Sequence, residues 1–258
     1  DRIASGEAPT QIPPRPTGIE RNIVVTLWDW GTETDGRTDS TPSDVRDATV
    51  NANGLIYGVV QPSDLLAVLD PVEHRATNIT IPSNAPPILS ETPTSPYYGD
   101  EPIWARRSDP RSVAMDGAGK VWLTGRVRGA DEQPSFCTDS ENAFADYFPI
   151  ERGTRQAFRY DPETEDFSEI DTCFSADHNQ LGEDERFYYG FRDGVGWIDV
   201  EIREETQNAE ASQGWCPTVL DTNGDGVISQ GWTEPDESVD PTLDHRIAYG
   251  CYSPAYNK

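Results

Sequence analysis

The apolar positions of this chain fall in short β-branched and aromatic runs separated by polar turns, which is the signature of strands. The first such run is Asn22-Ile23-Val24-Val25-Thr26-Leu27-Trp28. A repeat follows. Gly54-Leu55-Ile56-Tyr57, Gly119-Lys120-Val121-Trp122 and Glu185-Arg186-Phe187-Tyr188 occupy equivalent places, with the aromatic positions 57, 122 and 188 spaced 65 and 66 residues apart. A turn precedes each: Asn51-Ala52-Asn53-Gly54, Asp116-Gly117-Ala118-Gly119 and Gly182-Glu183-Asp184. After each comes an apolar strand ending in Asp, at Leu65–Asp70, Ala157–Asp161 and Gly196–Asp199. The first two continue into a final strand, Ala76–Ile81 and Asp166–Ile170.

Turn, strand, gap, strand, Asp turn and strand together describe one four-stranded antiparallel blade per repeat. The expected fold is therefore all-β, a β-propeller. It would hold three to four blades of a larger ring, with long insertions at 83–112, 126–156 and 201–245. A β-sandwich with coincidental spacing is the alternative. Residues 1–18 are Pro-rich and aperiodic and read as an extended arm, so the blades would occupy 19–258. The strand set at the end of the chain is incomplete. A fragment, or a ring completed by further blades or a partner chain, is the expectation.

Composition narrows the function. There are 46 Asp and Glu against 20 Lys and Arg, a formal net charge of −26. That excludes a surface built for nucleic-acid phosphates and argues against docking on an anionic membrane. No apolar run approaches the ~20 residues of a spanning helix. Lysine occurs only at Lys120 and Lys258. Many acids with little Lys fit either a salt-adapted surface or one tuned for solubility.

The four cysteines, Cys137, Cys173, Cys216 and Cys251, form no C-x-x-C pair. Sequential pairing, Cys137–Cys173 and Cys216–Cys251, would staple two insertions and is expected over the other two connectivities. It would imply the periplasm or exterior. Four reduced thiols in a cytosolic protein are the alternative.

The strongest local motif is Asp221-Thr222-Asn223-Gly224-Asp225-Gly226-Val227-Ile228-Ser229, which matches the first nine positions of an EF-hand-type Ca²⁺ loop. Asp221, Asn223 and Asp225 supply hard oxygens, Val227 a carbonyl, and Ser229 a ligand directly or through water. The twelfth position is Trp232 where a bidentate Glu belongs, so Glu234, Asp236 or Glu237 would have to curl back. Residues 201–245 hold eleven acids and one base, Arg203, which favours cations there. A turn held by its own Asx hydrogen bonds is the plain alternative.

Four runs resemble a known family. These are Trp28-Asp29-Trp30-Gly31, Val50-Asn51-Ala52-Asn53-Gly54, Asp100-Glu101-Pro102-Ile103-Trp104 and Gly214–Gly224. They look like secreted bacterial β-propellers described as carboxypeptidase-regulatory-domain-containing and related to streptogramin lyase-type propellers. The resemblance implies a secreted propeller longer than this chain, and in its more distant lyase relatives metal-assisted elimination. Where the resemblance implies three histidine positions, this chain has Thr38-Asp39-Ser40, Arg111 or its neighbour, and His178, so only one keeps its type.

Two function classes follow. One is a secreted, Ca²⁺-stabilised binding or structural module. The other is a lyase or hydrolase acting on a polysaccharide or small natural product, which requires His178, Asp29 and Glu101 to converge in one channel. A third reading is a subunit of an extracellular assembly or filament, joined by strand addition. His178 is equally readable as a structural histidine. Asn78-Ile79-Thr80 matches a glycosylation sequon.

Overall fold

The computed structural model describes residues 54–60, 63–89, 105–129, 131–137, 155–191, 194–228 and 231–251. In chain order its strands begin with β1 (Ile56–Val60), β2 (Leu65–Asp70) and β3 (Arg75–Thr80), an antiparallel sheet in the order β1-β2-β3. The short β4 (Ile88–Leu89) and β5 (Ala105–Arg106) pair with each other. A second sheet follows from β6 (Arg111–Met115), β7 (Val121–Gly125), β8 (Gln156–Asp161) and β9 (Asp166–Ile170), an antiparallel meander in sequence order. The third has the same order, from β10 (His178–Leu181), β11 (Arg186–Phe191), β12 (Gly194–Asp199) and β13 (Gln213–Pro217). The helix α1 (Val200–Thr206) separates β12 from β13, and β14 (Val219–Leu220) pairs with β15 (His245–Arg246) in a separate ladder. The chain is thus all-β, with one α-helix among the described residues.

The register bears out the repeat. Met115 pairs with Val121 and Ala114 with Trp122, while Leu181 pairs with Phe187 and Gln180 with Tyr188. Trp122 and Tyr188 are therefore equivalent, and Tyr57, opposite Val68 as Trp122 is opposite Arg159, is the third member. The strand-ending aspartates do one job three times. Asp70 Oδ1 accepts the backbone N–H of Val72 and Glu73, Asp161 Oδ1 that of Glu163, and Asp199 Oδ1 that of Ile202, where it caps α1. A carboxylate that satisfies the first free amides after a strand makes the chain turn there.

Sheet faces explain why the strands read as continuous apolar runs. Along β7, Val121 and Leu123 join a cluster with Tyr57, Leu66, Val68 and Tyr160, whereas Trp122 joins Phe174, Phe187, Tyr189 and Ile198. Successive side chains point to opposite faces, so the second sheet is packed on both sides. At the junction with the third sheet the Trp122 and Phe187 rings lie 4.8 Å apart. Phe174 packs flat over Gly196, where any Cβ would run into its ring. Each such large side chain contributes about 1.5–3 kcal/mol by burial.

Two expectations are corrected. The segment 201–245 is not all insertion, because Gln213–Pro217 is the fourth strand of the third sheet. Likewise Arg111 and Ser112, at the end of the segment 83–112, belong to β6.

The cysteines divide. Cys137–Cys173 is a disulfide, buried at the junction of the second and third sheets. The expected Cys216–Cys251 bond is not formed, and both are free thiols. The register supplies the reason. Val219 pairs with Arg246, and the Thr218 hydroxyl donates to Ala248 O, so continuing that ladder brings Tyr249 and not Cys251 opposite Cys216. Burial raises the pKa of both thiols. No helix among the described residues is long and apolar enough to cross a membrane.

Two measurements check this fold. The buried Asp116 accepts the Trp122 indole N–H at 2.7 Å and the amides of Ala118 and Lys120 at 3.0 and 2.8 Å. Asp116→Ala strands these donors and should cost about 2–4 kcal/mol in urea unfolding. Reducing Cys137–Cys173, which closes a loop of 36 residues in sequence separation, should lower stability by about 3–4 kcal/mol on the chain-entropy scale.

Candidate polar site between the first strands

The first strands of the second and third sheets lie side by side, and β6 also lies against β1. Counted 66 residues along the chain, Arg111 aligns with Asp177 and Ser112 with His178, although by ladder register Arg111, opposite Thr124, is the counterpart of His178, opposite Gly190. The residues aligned by that count meet across the junction. Arg111 Nη1 donates to Asp177 Oδ1 at 3.1 Å, and Ser112 Oγ lies 2.9 Å from His178 Nδ1. The Thr124 hydroxyl, from β7, donates to Asp177 O at 2.7 Å.

A β-bulge creates this contact. Arg111 pairs with Thr124 and Val113 with Leu123, which leaves Ser112 as an extra residue without a position of its own in the ladder. Its φ is +45°, and Asp109 three residues earlier has φ +43°. Two non-glycine residues in the left-handed region within four positions carry strain of order 1–3 kcal/mol each. The surrounding bonds hold them there. Asp64 accepts from Arg107 N, Ser108 Oγ and Asp109 N. Arg155, from the start of the β8 segment, donates to both Asp109 O and the Asp109 carboxylate. Its side chain and that of Asp109 are 11% and 7% exposed. Burial pulls the Arg155 guanidinium below its ordinary pKa, and the Asp109 carboxylate opposes that shift.

At the other end of β6 a cavity of about 340 Å³ is lined by Tyr57, Met115, Lys120 and Glu163 among others. Burial, with Tyr160 adding to it, pushes the Tyr57 phenol up to about 12, so it stays a neutral donor. Lys120 Nζ donates to Asp161 Oδ2 at 2.7 Å. That bond holds the Asp161 carboxyl below the usual carboxylate range and raises Lys120.

The Ca²⁺-loop residues form one exposed turn. Asp221 Oδ1 accepts from Gly224 N and Asp225 N, and Oδ2 from Gly226 N. Asn223 Oδ1 accepts from Asp225 N, and Asp225 Oδ1 from Val227 N. Gly224 and Gly226 have φ of +77° and +82°, the reversal that the motif requires of glycine. Glu234 engages elsewhere, with Trp232 Nε1 and Arg246. Among the described residues no group of three His, Cys, Asp or Glu side chains is arranged to hold a metal. In this loop the donor set is two acids, an amide and a backbone carbonyl.

Of the proposed channel carboxylates, Asp29 and Glu101 lie outside the described residues, as does Ser229. The structure thus places His178 at a sheet junction and brings Ser112, Asp177 and Arg111 to it. Sequence reading missed Ser112, Arg155 and Asp109. The available signal was the 66-residue offset already evident from Trp122 to Tyr188, which places Arg111 opposite Asp177 and Ser112 opposite His178. No protein-family model matches the chain, and no curated protein matches it either.

The buried Asp109–Arg155 pair makes a sharp prediction. Asp109→Ala leaves the guanidinium without its carboxylate and should cost about 3–5 kcal/mol. Asp109→Ala combined with Arg155→Met should recover most of that loss, measured by urea unfolding.

Proposed function

We propose that this protein is a secreted β-propeller, braced by Ca²⁺, that serves as a binding or structural module. Its ring is completed by further blades or by a partner chain. The observation that carries the reading is the junction geometry: the first strands of successive sheets lie side by side and touch at residues 66 apart in sequence, Arg111 with Asp177 and Ser112 with His178. Sheets that repeat radially about an axis bring their first strands together in this way. The disulfide supports an oxidising compartment, and the charge of −26 suits a cation-rich exterior.

The donor set of the 221–229 loop fits Ca²⁺. The ligands would be the Asp221, Asn223 and Asp225 side-chain oxygens, the Val227 carbonyl and Ser229. Asp221 Oδ2 accepts one amide and keeps a lone pair for a cation, while the amide bonds to Asp221 shape the turn beforehand. With Glu234 paired with Arg246, Asp236 accepting from Tyr249 Oη and Glu237 from Glu234 N, no bidentate carboxylate closes the sphere. The affinity then falls nearer the ~10⁻⁴–10⁻³ M of extracellular modules. Bound Ca²⁺ would neutralise Asp221 and Asp225 and brace the segment between β14 and β15.

Calorimetry and melting test this. Millimolar Ca²⁺ should raise Tm and a chelator should lower it, following RT ln(1 + [L]/Kd). Asp225→Ala should abolish both effects while the disulfide-linked sheets stay folded. Absence of binding heat, together with a Tm unmoved by chelator, would reject the Ca²⁺ brace.

A further inference from the structure

We propose that Ser112 is an activated nucleophile with His178 as its general base, and that the pair cleaves carboxylic esters by acyl transfer. This goes beyond the module reading and stands without it. Three observations point the same way. The Ser112 Oγ lies 2.9 Å from His178 Nδ1, within the reach that proton transfer requires. Ser112 occupies a bulge at φ +45°, so the backbone holds a strained conformation that aims this hydroxyl across the junction. A hydrogen bond needed only to join two sheets would not require that strain, since the Arg111–Asp177 pair already bridges the same junction. Strained backbone that is held by its surroundings clusters at sites of chemistry.

The neighbouring groups suit the step. Ser112 is 5% exposed, so the surrounding structure fixes its hydroxyl toward His178. Arg111 and Asp177, with side chains 37% and 27% exposed, form the accessible side. In the tautomer that accepts at Nδ1, the His178 proton sits on Nε2. Ser112 Oγ attacks the ester carbonyl carbon as its proton passes to Nδ1, and the C=O electron pair becomes the oxyanion of a tetrahedral intermediate. The oxyanion collapses, the C–O bond to the alkoxide breaks, and His178 returns the proton to the departing alcohol. Water then attacks the Ser112 ester with His178 again as base, which releases the carboxylic acid and restores the hydroxyl.

The test is covalent labelling of the full chain with a fluorophosphonate, mapped by peptide mass spectrometry, alongside p-nitrophenyl acetate hydrolysis. The expected result is one adduct, on Ser112, and ester turnover that the adduct abolishes. Ser112→Gly, which suits a positive φ, should keep the melting temperature or raise it and lose both signals. His178→Gln should slow labelling by about 10²–10⁴-fold. No adduct at Ser112 in the wild-type chain, or labelling unchanged in His178→Gln, overturns the proposal. Because the wild-type labelling decides by itself, misfolding of a variant leaves the test intact. Chelator and Ca²⁺ should not alter the labelling, so its failure is distinguishable from failure of the Ca²⁺ brace.

Discussion

Face-to-face packing of successive sheets is the constraint on which everything else rests. The second sheet has no solvent face along β7: Val121 and Leu123 are buried on one side and Trp122 on the other. A strand buried on both faces leaves no place for its polar groups except the strand ends. The polar chemistry of the described residues accordingly gathers there. At one end Asp116 takes the Trp122 indole, and at the other the Ser112, His178, Arg111 and Asp177 side chains meet. The site is a by-product of the way the sheets stack, because first strands lying side by side bring their N-terminal ends into contact.

Charge follows the same division. Several arginines are spent on ion pairs within the chain, the buried Arg155 with Asp109 and the more exposed Arg128 with Asp171 and Arg186 with Asp199. The remaining excess of acid is carried outward, with a concentration in the segment around Asp221, Asp225, Asp236 and Asp240. Hydrogen bonds to Tyr249 and to Thr242 hold the Asp236 and Asp240 carboxyls below their ordinary pKa. These groups remain ionised under mild acid, so the segment stays a cation-attracting surface.

Much of the sheet architecture was legible because its signals are local. Each turn directly precedes its apolar strand, each Asp directly follows one and caps the next turn, and these adjacent pairs recur. Trp122 and Tyr188 were aligned correctly because the turn before each strand has the same length. Long-range features were not legible. β13 is hidden in an acidic stretch as Gln-Gly-Trp-Cys-Pro, too short and polar at its ends to stand out. Arg155 and Asp109 lie 46 residues apart, and nothing local at either position announces the other. A one-residue bulge at Ser112 has no composition signal, since a serine with positive φ reads like any other serine. The Cys216–Cys251 expectation failed for a related reason, because counting cysteines carries no information about strand register.

The central claim is that neighbouring sheets are coupled face to face, one face of each against the opposite face of the next, and the Trp122–Phe187 contact is where this is most directly measured. Trp122→Ala, Phe187→Ala and the double variant form a cycle whose coupling energy belongs to the contact alone. Rings 4.8 Å apart at the junction predict a coupling of roughly 0.5–1.5 kcal/mol in urea unfolding. Single-variant losses that add to the double-variant loss within about 0.3 kcal/mol would contradict the account, because the two sheets would then not meet at these side chains.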